Sequence, residues 1–505
     1  MTFESNNFNV VKKSRLPKSE FNVECNISVS SPASKILTVS AVASVNSSEV
    51  LSGSINYAGT IDARIVYLNE NGEICTVASS CPFTSKFDAE GIVSGQKAII
   101  AVKVVDHDIE SLTADNIRLI CNIEQSGVLI STNEISSISS DSPEVCCKSE
   151  EINVVRYVGD ATETASVNSE IIVRQPIKKL ILTESQALVK SVESGVNFVS
   201  VSGEVVSRVL YITEDDKFET GYIYDSFKEE LELEGATRDS QVEAYAYVRS
   251  ESVKTDIEES DKGIKLNVEV PTSISVKVYE NANVTVIKDL YSTTNEIKVS
   301  TESFDMTTVC PMEVVESKID GSLTLEQESP RVDKILFVGG NNVVVSNSFI
   351  KDGEINIEGI ASTTVVYLND ETNSFNSVQI ELPFVITDKW NNENEDGILV
   401  VDASICDVDV VVKKGREFYY DAKVKACVNY CHNVVSGVIT HAEELEAYPE
   451  KDYGMELLFA RAGQDAWDIA KEAGVKEDLL VSQNPEIVFP LEEDRNLILF
   501  YQKQN

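Results

Sequence analysis

The residues best suited to bind a metal ion lie close together near position 430. Cys427, Cys431 and His432 are followed by His441, and thiolate and imidazole groups are the usual ligands of structural zinc. Residues 422–428 alternate apolar and polar side chains as a strand does, which places the two cysteines on one face and His432 on the other. Because a tetrahedral site needs converging ligands, we interpret these residues as packed or exposed and predict no metal site.

Carboxylates two residues apart are the second chemical candidate. Asp106 with Asp108, and Asp407 with Asp409, would each share one strand face, where they could bind Ca²⁺ or serve in acid–base hydrolysis. The chain has 83 acidic residues, so such pairs arise freely, and we interpret both as solvated. The sequence also has no Gly-x4-Gly-Lys-Ser/Thr phosphate loop and no Gly-x-Ser-x-Gly nucleophile elbow. We therefore predict no catalytic residue, no cofactor and no enzymatic activity.

A pattern that occurs three times organises the chain. Each copy has a glycine, a tyrosine 8 residues later, and a phenylalanine 16 or 17 residues after the tyrosine. The three sets are Gly59, Tyr67 and Phe83; Gly203, Tyr211 and Phe227; and Gly359, Tyr367 and Phe384. A proline and then a lysine precede each set, the lysines being Lys35, Lys179 and Lys334. The tyrosines are 144 and 156 residues apart, which is a domain-sized interval and too long for a solenoid.

Inside the repeats the apolar residues recur with the period of a half-buried strand. Residues 61–67, 242–248 and 265–270 alternate in this way, and turn signals such as Asn71-Gly72 separate such stretches. The repeat, the alternation and the turn signals predict a mainly β fold with three related antiparallel β domains, sandwich-like or barrel-like, and a small βααβ module after them. We place an N-terminal extension at 1–22, the β repeats at 23–140, 150–308 and 320–445, and the module at 453–503. The serine-rich stretch 131–149 is predicted to be a connector, and a further boundary falls near 310–321.

The last fifty residues change from strand to helix periodicity. Asp465 suits a helix N-cap, an apolar stripe follows it at helical spacing, and Gly474 ends the helix. A second short helix is predicted at 476–483, and strands at 456–460 and 496–500 enclose the pair.

This segment resembles a LysM module, chiefly in its Trp-x-Ile-Ala helix. The matching residues are Gly463, Trp467, Ile469, Ala470, Leu479, Asn484, Leu491 and Leu497. The resemblance implies a shallow groove for chitin or peptidoglycan, but here the loops beside that groove are acidic and the segment has one tryptophan for sugar stacking. These departures favour a protein partner. The expected partner-binding residues are Gly463, Asp465, Trp467, Ile469, Asn484 and Leu491.

The three β repeats ahead of one terminal LysM-like module resemble the SipL-type spore coat morphogenetic proteins of clostridia, which are built from SPOCS domains. The string Lys288-Asp289-Leu290-Tyr291-Ser292 is similar to a signature of that family. The resemblance implies a non-catalytic scaffold made in the mother cell and placed at the forespore surface in the spore coat. It implies binding of the coat morphogenetic ATPase, stage IV sporulation protein A, through the LysM module, with other coat proteins as further partners. The alternative is a LysM protein that binds peptidoglycan or the spore cortex.

The charge balance limits other partners. With 83 acidic and 43 basic residues the formal net charge is −40, which argues against nucleic acid and anionic membrane as direct partners. No apolar run reaches the ~20 residues that span a bilayer. We expect no secretory signal at the N-terminus, and therefore ten cysteines that remain reduced thiols.

Overall fold

The computed structural model describes residues 2–249, 252–260, 263–372, 374–391, 395–449 and 454–501. These residues are mainly β-strand, and they form seven antiparallel sheets, none of which closes on itself. The predicted mainly β fold with antiparallel sheets is therefore confirmed. No helix in the same ranges is long and apolar enough to cross a membrane.

Unit 1 (residues 4–139) packs two three-stranded sheets face to face. Its strands are β1 (Glu4–Ser28), β2 (Ala33–Leu51), β3 (Ser54–Asn69), β4 (Ile74–Asp88), β5 (Lys97–Leu112) and β6 (Asn116–Ser139). The sheet orders are β1-β6-β5 and β2-β3-β4. Ile27, Ile61 and Leu119, from strands of both sheets, are among the fully buried side chains of the shared core. The alternating sequence pattern thus encloses a sandwich core between the two sheets.

Units 2 (145–292) and 3 (295–447) repeat this plan with one long strand broken in two. The strands of unit 2 are β7 (Val145–Val173), β8 (Ile177–Ser194), β9 (Phe198–Thr213), β10 (Phe218–Glu232), β11 (Gln241–Val248), β12 (Lys254–Ser260) and β13 (Gly263–Ser292). Those of unit 3 are β14 (Asn295–Val309), β15 (Glu313–Thr324), β16 (Val332–Lys351), β17 (Glu354–Asn369), β18 (Phe375–Lys389), β19 (Ile398–Lys413) and β20 (Glu417–Ala447). In unit 2, β7 pairs with one edge of β13 while β11 and β12 share the other. In unit 3, β14 and β15 share one edge of β20 and β19 takes the other.

The repeated glycines and phenylalanines face each other on neighbouring strands. The opposed pairs are Gly59 with Phe83, Gly203 with Phe227, and Gly359 with Phe384. A Cβ on any of these glycines would overlap the ring of its phenylalanine and a backbone carbonyl of the strand on the other side. The repeated tyrosines are buried in the three cores. Close packing of the sheets, and not ligand binding, therefore accounts for the repeated spacing.

The three units meet around one apolar assembly, which we call the central cluster. Its buried members are Leu37, Val66, Leu68 and Ile74 of unit 1, Ile181, Leu182 and Leu210 of unit 2, and Leu336, Phe337 and Val366 of unit 3. The repeated lysines bridge the units in cyclic order by donating to backbone carbonyls. The three bonds are Lys35 to Phe375 at 3.0 Å, Lys179 to Ile74 at 3.0 Å, and Lys334 to Phe218 at 3.4 Å. Each unit therefore contacts both others in an approximately threefold arrangement.

The long strands of the units also pack on one another as three paired ribbons. The ribbons are the paired parts of β1 and β6, β7 and β13, and β14 and β20, and apolar clusters that draw on all three join them. A buried ion pair lies among them: Lys13 is 1% exposed, and its Nζ is 2.6 Å from Glu243 of unit 2. The same ammonium lies 4.1 Å from the ring centre of Tyr279. Units 1 and 2 are thus joined by charge as well as by apolar packing.

The chain ends in a small element that we call the module (residues 454–501). It contains β21 (Met455–Ala460), α1 (Ala466–Ala473), α2 (Glu477–Gln483) and β22 (Arg495–Phe500), and the two strands pair antiparallel. Of the predicted bounds 453–503, residues 453, 502 and 503 lie outside the described residues. Assignment of the module to the LysM type stays a prediction.

Two stretches are more regular than the sequence indicates. Residues 1–22, predicted to be an extension, belong to β1 from Glu4 onward and pair with β6 on both sides of a register shift between Leu16 and Ser19. The serine-rich connector 131–149 is largely strand, since β6 continues to Ser139 and β7 starts at Val145. Backbone pairing supplies the hydrogen bonds in both places, and it does not depend on apolar side chains. Likewise, the boundary placed near 310–321 falls where β14 and β15 pair with β20.

Candidate functional site

The module is held together by capping and by one asparagine. The carboxylate of Asp465 accepts a hydrogen bond from the backbone of Asp468 at 2.8 Å and so caps α1, and Gly474 ends the helix in the left-handed conformation at φ 64°. Asn484 bonds through its side chain to both backbone groups of Ile498, each at 3.0 Å. This asparagine therefore ties the end of α2 to β22.

The tryptophan face of α1 is seated on the ribbon of unit 2. The indole Nε1 of Trp467 donates to the carboxylate of Asp289 at 2.8 Å, and Lys471 Nζ approaches the other oxygen at 2.5 Å. Tyr291 packs edge-on against the indole, with ring centres 4.9 Å apart, and its hydroxyl donates to the carbonyl of Val475 at 2.8 Å. We call this contact the seat. The seat places a core residue of the module, Trp467, against the main body of the protein.

Charge strengthens the seat. Burial opposes ionisation of Asp289, but the hydrogen bonds from Lys471 and Trp467 outweigh that effect and hold the pKa of the carboxyl below its usual value. A second ion pair joins Lys148 on β7 to the N-cap Asp465 at 3.1 Å. Its hydrogen bonds, first of all from the backbone of Asp468, lower the pKa of Asp465 against a smaller effect of burial. Both carboxylates are thus charged at neutral pH and paired with lysines.

The six expected partner-binding residues do not form one exposed patch. Gly463 is exposed and Asp465 half-buried, whereas the other four are buried: Trp467, Ile469, Asn484 and Leu491. Gly463 does lie against Leu491, because its backbone donates to the Leu491 carbonyl at 2.7 Å. Their role in partner binding stays a prediction.

The opposite side of the module exposes apolar side chains on its two-stranded sheet. Met455, Leu457 and Phe459 on β21 are 58%, 63% and 63% exposed, and Phe500 and Ile498 on β22 are 55% and 39% exposed. Met455 pairs with Phe500 and Leu457 with Ile498, so these side chains lie on one face. We call this surface the apolar face. Isolated exposed apolar residues are ordinary, but five that adjoin on one small sheet typically mark an interaction site.

The residues that first suggested chemistry do not converge. Within the described ranges, no group of three or more histidine, cysteine or acidic side chains is placed to hold a metal ion. Cys431 and His432 are buried, whereas His441 is exposed. The paired carboxylates Asp106/Asp108 and Asp407/Asp409 all face solvent. Absence of catalytic activity stays a prediction.

Sequence reasoning missed the residues that form the seat. The string around Asp289 and Tyr291 was noticeable only as a family resemblance, and Lys148 carried no signal at all. A carboxylate and a tyrosine at the end of a long alternating strand could have indicated that another part of the chain packs on the end of that strand. Their partner lies 178 residues away in sequence, from Asp289 to Trp467, and no local pattern specifies it.

Comparison with known protein families supports part of the resemblance. Residues 32–112 match the family described as SipL, SPOCS domain. The match spans the β2-β3-β4 sheet and β5 of unit 1, and it supports a relationship to sporulation-related spore coat proteins. No curated protein matches the chain, and no solved structure does.

Proposed function

We propose that this protein is a non-catalytic assembly protein of the spore coat. In this proposal the module is of the LysM type and binds the coat morphogenetic ATPase, stage IV sporulation protein A, at the forespore surface in the mother cell. The observation that carries the proposal is the SPOCS-domain match at residues 32–112. The partner and the location come from the SipL-type resemblance.

The architecture suits an assembly role. Three units joined by a central cluster, cyclic lysine bonds and a buried ion pair make a platform with many internal contacts. The module sits on this platform by one face, while its apolar face remains exposed. An element fixed on one side and open on the other can present a partner at a defined position.

The buried residues of the predicted set would act by positioning. Trp467 and Ile469 form the α1 side of the module core, and Trp467 also makes the seat. Their replacement would displace the surface that meets the partner. Gly463 and Asp465 are the members of the set that reach solvent.

The test is capture of the purified ATPase by the full-length protein and by a variant that lacks residues 454–505. We expect capture by the full-length protein only. We expect Trp467→Ala and Ile469→Ala to lose capture, whereas Val488→Thr, at a loop side chain that is 81% exposed, retains it. The unfolding transition of the three units should be unchanged in all variants.

A parallel pull-down on purified peptidoglycan separates the alternative function. The indole of Trp467 is buried and bonded to Asp289, which leaves it poorly placed for sugar stacking. Strong retention on peptidoglycan without capture of the ATPase would refute the proposed function.

A further inference from the structure

In the part of the chain that the structure describes, the edge of β21 away from β22 pairs with no other strand, and it lies beside the apolar face. On β22, the N–H and C=O groups of Ile498 and Phe500 point away from β21, because they bond to the side chains of Asn484 and Gln483. In an antiparallel pair, residues opposite such positions also point their backbone groups outward.

Those opposite residues are Leu457 and Met455. In the described part of the chain, β21 has β22 as its one sheet neighbour, and no backbone hydrogen bond satisfies its outer edge. The same residues that carry the apolar side chains therefore present donors and acceptors to an incoming strand.

The module's charge indicates what kind of strand would fit. Residues 454–501 contain ten acidic and four basic side chains. Two such modules would repel each other, which disfavours edge-to-edge pairing with a second copy. A segment with basic residues would be attracted to this surface.

We propose that β21 is a strand-addition site. Its occupant is an extended segment of a partner protein that has apolar residues at alternate positions and lysine or arginine between them. The segment pairs with the outer edge of β21 through its backbone and covers Met455, Leu457 and Phe459 with its apolar side chains. This inference rests on the proposed docking role of the module and specifies the part of the partner that is recognised.

The probe is a synthetic peptide that alternates valine and lysine and is long enough to pair with the 6 residues of β21. Its counterpart has glutamate in place of every lysine. Binding to the full-length protein is measured by fluorescence anisotropy. We expect the lysine peptide to bind and the glutamate peptide to bind at least about tenfold more weakly.

Two variants at one position separate backbone pairing from side-chain burial. Leu457→Pro removes an outward N–H without breaking the β21–β22 ladder, and should weaken peptide binding by about tenfold or more. Leu457→Thr keeps the N–H but removes apolar surface, and should weaken it about fivefold. Val488→Thr, at an exposed apolar side chain outside the sheet, is the matched control and should bind as the unaltered protein does. Trp467 fluorescence, read with each variant placed in a Trp390→Phe background, verifies that the module stays folded.

Three results would overturn the proposal: no binding of the lysine peptide, equal binding of both peptides, or unchanged binding by Leu457→Pro. A self-association that Leu457→Pro abolishes, seen by analytical ultracentrifugation, would assign the edge to a second copy and equally overturn it. If Leu457→Pro captures the ATPase normally, the strand-addition site is refuted while the proposed function stands. If the unaltered protein does not capture the ATPase, the proposed function fails, and the peptide series alone decides the strand-addition site.

Discussion

Removing the carboxylate of Asp289 should loosen the module from the platform. Asp289→Ala deletes the acceptor of the Trp467 indole and of Lys471. A half-buried hydrogen bond to a charged group contributes about 1.5 kcal/mol. The ion pair contributes only about 0.5 kcal/mol, because its side chains are 32% and 42% exposed and solvent screens it. The sum, about 2 kcal/mol, corresponds to about a thirtyfold change in the equilibrium between seated and released module.

The assay is hydrogen exchange of the Trp467 indole N–H, followed by NMR with ¹⁵N-labelled tryptophan. The chain has 2 tryptophans, and Trp390 is packed against Tyr430 in the core of unit 3. A Trp390→Phe background leaves one indole signal. In that background, Asp289→Ala should raise the exchange rate about thirtyfold, whereas Asp289→Asn, which keeps one acceptor, should raise it less.

The matched control is Glu150→Gln, which removes an exposed carboxylate that lies 3.7 Å from Lys288 and outside the seat. Its indole exchange should match that of the parent protein. An exchange rate in Asp289→Ala within about threefold of the parent would mean that this carboxylate does not hold the module, and would refute the energetic reasoning.

The carboxylate of Asp289 should also make the stability of the seat depend on pH. Its pKa in the folded protein lies below the usual value of 3.8, so its contribution to the seat is fully present above pH 3.8. The contribution is lost as the pH falls through the lower, folded value. Acid titration of Trp467 fluorescence in the Trp390→Phe background should therefore show release in Asp289→Ala at a higher pH than in the parent, and coincident titrations would contradict this.

Three other predictions concern the platform. Lys179→Ala removes one cyclic hydrogen bond between units and should lower the free energy of unfolding by about 1 kcal/mol, measured by urea denaturation. Gly203→Ala places a Cβ where it overlaps the Phe227 ring and a backbone carbonyl. It should lower the free energy of unfolding by about 2–4 kcal/mol, again measured by urea denaturation. Lys13→Ala leaves the carboxylate of Glu243 buried without its ammonium partner. It should lower the free energy of unfolding by about 3–5 kcal/mol and raise the hydrogen-exchange rates of the backbone amides on β1.

Each of these three variants has a matched control. Lys178→Ala removes an exposed neighbour of Lys179 and should be nearly neutral. Gly159→Ala places a Cβ no closer than 3.6 Å to Leu233, an ordinary contact, so equal losses at Gly159 and Gly203 would contradict the close-approach argument. Replacing both Lys13 and Glu243 with apolar residues should restore part of the loss seen with Lys13 alone, and failure to do so would show that the cost does not come from an unpaired charge.

The sequence specifies the local structure of this chain better than its long-range contacts. Strict alternation predicts half-buried strands. The Gly–Phe spacing recurs because each pair faces across a hairpin of nearly the same length in the three units. The start and end of α1 follow from the N-cap Asp465 and from Gly474. By contrast, the strand character of 131–139 comes from pairing with β1, so its serine-rich composition could not reveal it.

The candidate site was the least predictable part. The expected contact residues rest on a resemblance, and four of the six are buried. Whether Trp467 faces a partner or the platform depends on Asp289 and Tyr291, which belong to another unit. The apolar face arises because β21 and β22 pair in a register that places their alternate apolar side chains on one outer surface. The sequence of two short apolar strands does not show which of their faces is exposed.

The near-threefold arrangement of the units has a consequence for stoichiometry. A true trimer of one such unit would present three equivalent ribbon ends and could seat a docking element on each. Joining three diverged units in a single polypeptide lets one ribbon alone keep the aspartate and tyrosine that receive the module. Under the proposed function, each molecule contributes a single attachment point on its module, so extending a layer in two dimensions would require contacts from the remaining surfaces of the platform.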